Sequence, residues 1–169
     1  RLIGLRFPTL SENIIHMLPP MEVAARLSRE KALKEHPEFK PEEIGVCFIS
    51  PCPAKVSYVK NGFADYNSKV DVVLSISDVY FRLINAMQMS NEPNSLSNSG
   101  VIGIGWASSG GEATAIFNDS YLAADGIDNV MRVLDQLENG NIPHLEFIEL
   151  NACTGGCVGG VLTIQNPFI

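Results

Sequence analysis

The sequence has no apolar run long enough to cross a bilayer, no basic stripe, no internal repeat and few cysteines, and each shortage removes a class of function. Its longest apolar stretches, such as "VGGVLTI" and "VVLSI", fall well short of the roughly 20 residues a membrane helix needs. The N-terminus lacks the charged, apolar and small-residue succession of a signal peptide, so a cytoplasmic location is the default expectation. Lysine and arginine total 12 against 19 acids, for a formal charge of -7. The acids are scattered rather than blocked, which argues for solubility and against nucleic acid or an anionic membrane as the main partner. The four cysteines, Cys47, Cys52, Cys153 and Cys157, are too few and too unevenly placed for a secreted disulfide framework. Metal or redox chemistry is the better reading of them.

With 46% hydrophobic side chains over 169 residues, the chain can bury a core as one domain or two small lobes. It opens on Arg1 rather than Met and reads as cut from something longer. After Pro19-Pro20, "MEVAARLSREKALKEH" carries acid early and basic residues late, as a helix dipole favours, and Pro37 closes it. "IGVCFIS" and "VDVVLSIS" are short, β-branched and nearly continuously apolar, the pattern of parallel strands covered on both faces. Ser77 or Asp78 is then expected to cap a helix with Val79, Tyr80, Leu83, Ile84 and Met87 on one stripe. "MSNEPNSLSNSG", residues 89–100, reads as a loop, with "GVIGIGWA" and "SYLAAD" as further strands. "GIDNVMRVLDQLENG" reads as a helix stopped by Gly140, and "HLEFIEL" as a strand. Strands alternating with helices predict an α/β fold of parallel-sheet lobes flanked by helices, one domain over 1–169 with a lobe boundary near 89–100.

Ligands of open parallel sheets gather outside the carboxyl ends of the strands. Cys52 follows "IGVCFIS" in "SPCPAK", and Cys153 and Cys157 follow "HLEFIEL" in "NACTGGCVGG", so distant thiols converge on one kind of place. Gly155, Gly156, Gly159 and Gly160 allow positive φ and exposed N–H groups, which can donate to anionic sulfur. Thiolate ligation of iron and sulfide suits this loop. Zinc ranks second, because its pairs are commonly CxxC rather than the C-x-x-x-C found here. A Gly-rich turn holding two small core cysteines, or a disulfide between them, accounts for the pair without any metal. Cys47 lies inside a strand and is expected to be buried there. "GIG" at 103–105 and "SSGGE" at 108–112 lack a full phosphate-loop pattern and read as tight turns. His16, His36 and His144 show no ligand spacing, and Trp106 is expected in the core.

"FISPCPAKV" and "FIELNACTGGCVGG" resemble the second and third cluster-binding motifs in the C-terminal domain of the iron-only (FeFe) hydrogenase large chain. "SSGGEATA" and the segment from Gly126 to Leu150 are similar to the family's approach to its last motif. The resemblance implies a two-lobed domain around an H-cluster, a 4Fe-4S cubane joined through one cysteine to a di-iron subcluster carrying CO, cyanide and a dithiolate bridge. By motif, Cys52 and Cys153 would ligate the cubane, and Cys157 would ligate it and bridge to the di-iron unit. Lys55 matches the lysine beside a cyanide ligand and is the implied catalytic residue. Gly155, Gly156 and Asn151 would border the cofactor.

The departures carry information too. The family's first motif, which supplies a further ligand and the proton-donating cysteine, is absent and is expected just before Arg1. Asn151 stands where catalytic members usually carry Met, and "GGVLTIQNPF" replaces the usual Gly-Gly-Gly-Gln ending, as in the sensory hydrogenases. The expected function is an H-cluster-binding piece of a hydrogenase that interconverts protons and H2 or senses H2, inactive alone. Its expected partners are H2 and protons, with a ferredoxin-like electron carrier or a signalling domain of the same polypeptide. Self-association through an exposed edge is a further expectation. The alternatives are a non-catalytic hydrogenase-like iron-sulfur carrier or scaffold, and a purely structural α/β interaction domain.

Overall fold

The structure is a computed structural model that describes residues 2–62, 66–89 and 99–169. The loop expected at 89–100 lies mostly outside the described residues. The chain forms two compact units, one of Arg1–Ile15, Glu92–Gly160 and Gln165–Ile169, the other of His16–Asn91 and Val161–Ile164.

In the second unit, helix α2 (Pro20–Glu35) starts where Pro can sit in a first turn and ends before Pro37. Strand β1 (Cys47–Ser50) pairs in parallel with β2 (Val72–Ser75), with Cys47 opposite Val72 and Ser50 opposite Ser75. Helix α3 (Pro53–Asn61) follows β1, and α4 (Ile76–Met89) follows β2 without a linking loop. The cap of α4 is therefore Ser75, whose Oγ accepts from Asp78 N at 3.0 Å, and not Ser77 or Asp78. Glu22, fully buried on α2, accepts from Ser68 Oγ and from Lys69 N at 2.8 Å, tying the helix to the approach to β2. Segment 161–164 joins this unit through Leu162, which donates its N–H to Pro51 O and accepts from Ser77 N.

Two expectations need correction here. The strands are not covered on both faces: Ile49, Val72 and Leu74 are 44%, 50% and 40% exposed, and Cys47 is exposed with them. Side chains alternate along a strand, so Cys47 and Ile49 share the open face with Val72 and Leu74, while Ser50 and Ser75 turn inward.

Burial, then the charge of Glu22 and then Tyr66, push the Tyr58 phenol on α3 above its ordinary value of about 10. A raised folded value favours the neutral phenol, so this contribution to stability is full below about pH 10 and is lost as pH rises through the folded value. Tyr58→Phe is expected to remove that alkaline loss in urea melts taken at increasing pH; an unchanged alkaline slope would contradict it.

In the first unit, β3 (Tyr121–Asp125) and β4 (Phe147–Asn151) pair in parallel, with Ala123 opposite Glu149 and Asp125 opposite Asn151. Helix α7 (Ile127–Glu138) connects them, as a parallel pair requires. Its Val130 and Leu134 pack with Phe7 in a core closed by Leu2 and Ile3 of α1 (Leu2–Arg6), by Leu10, and by Leu150 of β4. The stretch expected as strand at "GVIGIGWA" is instead α5 (Val101–Gly105), closed by Ile104 N donating to Gly100 O at 3.2 Å. With no strand beside it among the described residues, its apolar residues satisfy their backbone locally and stay exposed, Val101 at 87% and Ile104 at 71%. Trp106 follows it and is 38% exposed rather than in the core. Helix α6 (Gly111–Ala115) completes the unit.

Candidate functional site

Cys52 sits beyond the carboxyl end of β1, as the residue before α3. Pro53 forces it out of the helical region, to φ -127 and ψ 120, and supplies the first residue of the helix. Its N–H donates to Ser50 Oγ at 3.0 Å, and the same hydroxyl donates to Cys52 O at 3.3 Å, so a fully buried serine fixes the backbone of a half-buried thiol. Lys55 N donates to Cys52 O at 3.2 Å, which places Lys55 in the first turn, half-buried and outside any ion pair among the described residues.

Cys153 and Cys157 lie beyond the carboxyl end of β4, on a loop that ends in a 3-10 turn (Cys157–Gly159). Cys153 is half-buried and Cys157 exposed, and all four cysteines are thiols, so the disulfide expected as an alternative does not form. The loop is held from several sides. Gly155 O accepts from Ser109 N at 3.1 Å, Val158 N donates to Ala107 O at 3.2 Å, and Gly156 bridges Ser108. Gly155 and Gly156 have φ of +82 and +84, where only glycine sits without strain. A Cβ on Gly156 would come within 2.6 Å of Ser109 N and 2.8 Å of Ala107 O. These glycines therefore let the loop approach the 107–109 turn. Gly156→Ala is expected to cost about 2 kcal/mol or more and to speed amide exchange through 153–158, and unchanged exchange would contradict the close fit.

The loop N–H groups are already committed. Gly155 N donates to Asp125 Oδ2 at 2.9 Å, Gly156 N to Cys153 O, Gly159 N to Gly156 O and Gly160 N to Cys157 O. Sequence reasoning offered these glycine amides as donors to anionic sulfur, but each has a protein acceptor.

Two carboxylates escaped the sequence reading. Glu149, 4% exposed in the middle of β4, accepts from Gly110 N at 3.0 Å, Ala113 N at 2.9 Å and Asn151 Nδ2 at 2.7 Å. Asn151 thus has its amide turned back onto the strand. Asp125 ends β3 and reaches the thiol loop. A lone acid inside "FIEL" was a signal for the first; nothing in "AAD" singled out the second.

Among the described residues of either unit, no three His, Cys, Asp or Glu side chains are gathered to hold a metal ion. A groove of about 660 Å³ in the first unit is walled by apolar residues such as Leu10, Leu134 and Phe147 and by Asn151, away from Cys153 and Cys157. His16, His36 and His144 are exposed. No helix is long and apolar enough to cross a membrane among the described residues.

Soft thiols outside strand ends, fixed by their own backbone, suit iron-sulfur ligation in kind. In number they fall short, since Cys47 starts β1, roughly 10 Å along the strand from Ser50 at 3.3 Å per residue, and so does not join Cys52.

The family model for the C-terminal domain of the iron-only hydrogenase large subunit matches residues 1–121 and 112–161. Two solved structures share the fold, each at 15% identity and a TM-score of 0.64 over 98% of this chain. One is HydA(deltaEFG), described for stepwise FeFe-hydrogenase H-cluster assembly; the other is an FeFe-hydrogenase described for oxygen inactivation through its 2Fe subcluster. The chain spans 59% and 58% of those two chains. No curated protein matches it by sequence. With thiols at the ends of parallel strands and the family match running through both cysteine segments, the chain belongs to the family defined by the C-terminal domain of the iron-only hydrogenase large subunit.

Proposed function

We propose that this chain forms part of an H-cluster-binding domain, in which Cys52, Cys153 and Cys157 hold an iron-sulfur cluster. The observation that carries this reading is the Cys153–Cys157 loop itself, whose backbone Asp125 and the 107–109 turn hold just beyond the carboxyl end of β4, with both cysteines as thiols. Bound there, an H-cluster supplies reversible electron storage and a site for interconverting protons and H2. Cys52, Cys153 and Cys157 would hold the cubane, and Cys157 would be the residue it shares with the di-iron unit. Lys55, placed one helical turn from Cys52, brings a cation near a diatomic ligand. A cubane takes four ligands, so one more joins these three thiolates. The chain serves as one piece of that domain, inactive alone, with H2 and protons as the domain's substrates and a ferredoxin-like electron carrier or a signalling domain of the same polypeptide as its partner.

Asn151 favours a sensing or slow-turnover role, because a polar amide bound to Glu149 stands beside the cysteine loop where catalytic members carry Met. Infrared spectroscopy of the full-length protein after maturation tests the reading. Bands of CO and cyanide are expected. A cubane without them would overturn the di-iron assignment and favour an iron-sulfur carrier or scaffold.

A further inference from the structure

We infer that Asp125 is a positioning residue for the thiol loop, fixing its backbone and placing a negative charge beside the cluster that Cys153 and Cys157 hold; this rests on the ligand reading above. Asp125 is the last residue of β3, in register with Asn151 at the end of β4. Its Oδ2 accepts the Gly155 N–H at 2.9 Å, and Gly155 is the midpoint of C-x-x-x-C, two residues from either thiol. The backbone that carries it is fixed as well, because Asn129 Nδ2 donates to Asp125 O at 3.0 Å. The turn after it lies close to the loop, since a Cβ on Gly126 would come within 3.3 Å of Thr154 Oγ1. No Lys, Arg or His pairs with Asp125 among the described residues, so its charge is not cancelled by a neighbour.

Two consequences follow from one contact. The hydrogen bond sets where the peptide between the thiols lies, and hence how the thiols point. The charge opposes the electron that cluster reduction adds, which lowers the reduction potential. Partners of this kind, one step behind the ligands, commonly govern affinity and potential.

Asp125→Asn and Asp125→Ala separate the two effects. Asparagine keeps an acceptor for Gly155 N–H and removes the charge, while alanine removes both. In the full-length, iron-reconstituted protein, the Asn variant is expected to keep wild-type iron content with a more positive midpoint in an EPR-monitored redox titration. The Ala variant is expected to bind iron about 10-fold more weakly or worse. In the metal-free protein, Gly155 amide exchange is expected to rise in Ala and stay slow in Asn. Wild-type iron, potential and exchange in both variants would overturn the inference. The ligand reading fails on a different result, wild-type iron binding by Cys153→Ala and Cys157→Ala, and the exchange measurement then still decides whether Asp125 holds the loop.

Discussion

Cys157→Ser in the full-length, matured protein is expected to abolish assembly of the di-iron unit and, with it, H2 uptake. The expectation rests on the bridging role proposed for Cys157 from its motif. Cys157 is exposed at the far end of the loop, opening the 3-10 turn, while Cys153 is half-buried nearer the strand. The backbone around it is anchored by Val158 N on Ala107 O and by Gly160 N on Cys157 O, so the substitution removes a ligand without removing a fold contact that these bonds provide. Serine keeps the size but presents a hard oxygen that stays protonated at neutral pH, a poor exchange for a soft thiolate on iron. Loss of the infrared CO and cyanide bands, with secondary structure unchanged by circular dichroism, is the expected signature. H2 uptake retained by the variant would contradict the bridging role.

Glu149→Ala is expected to destabilise the first unit by about 3–5 kcal/mol. The carboxylate is 4% exposed and accepts three N–H groups, two from the backbone at Gly110 and Ala113 and one from Asn151. Each bond to a charged group contributes about 1.5–3 kcal/mol, and its removal strands buried donors that cost about 1–3 kcal/mol apiece, with overlap between the two counts. The same substitution releases the turn that carries Ser109, whose N–H holds Gly155 O. Chemical denaturation together with amide exchange at Gly110 and Ala113 checks both effects. Glu149→Gln keeps one acceptor oxygen but turns an NH2 toward a backbone donor, so it is expected to fall between wild type and Ala. Wild-type stability in Ala would mean that the buried carboxylate is not the tie between β4 and the 110–113 turn.

Legibility in the sequence followed local signal strength. Helix α2 was bounded by prolines, α7 by an apolar period and a terminal glycine, and the first two strands by short β-branched runs; these elements, with the strands expected at "SYLAAD" and "HLEFIEL", are present in the structure. "VIGIG" has the same β-branched look but no partner strand among the described residues, and strand identity depends on pairing that composition does not report. Cys47 and Trp106 were expected inside because small apolar and aromatic residues often are, yet exposure depends on which layers cover a face. The thiols stood out in the sequence because residue type and spacing carry their chemistry. Asp125 and Glu149 were not, because a carboxylate that accepts backbone N–H groups acts through contacts between segments that are distant in the chain. The positive φ of Gly155 and Gly156 was expected from residue type, but the close approach of Gly156 to residues 107–109 was not, because it depends on a segment distant in the chain.

Anaerobic iron and sulfide analysis with EPR, on the full-length protein and its Cys52→Ala and Cys153→Ala variants, tests the cluster assignment most directly. A cubane signal in the wild type that disappears in each variant is the predicted result. Wild-type iron content and signal in both variants, or no iron in any of the three proteins, would contradict it.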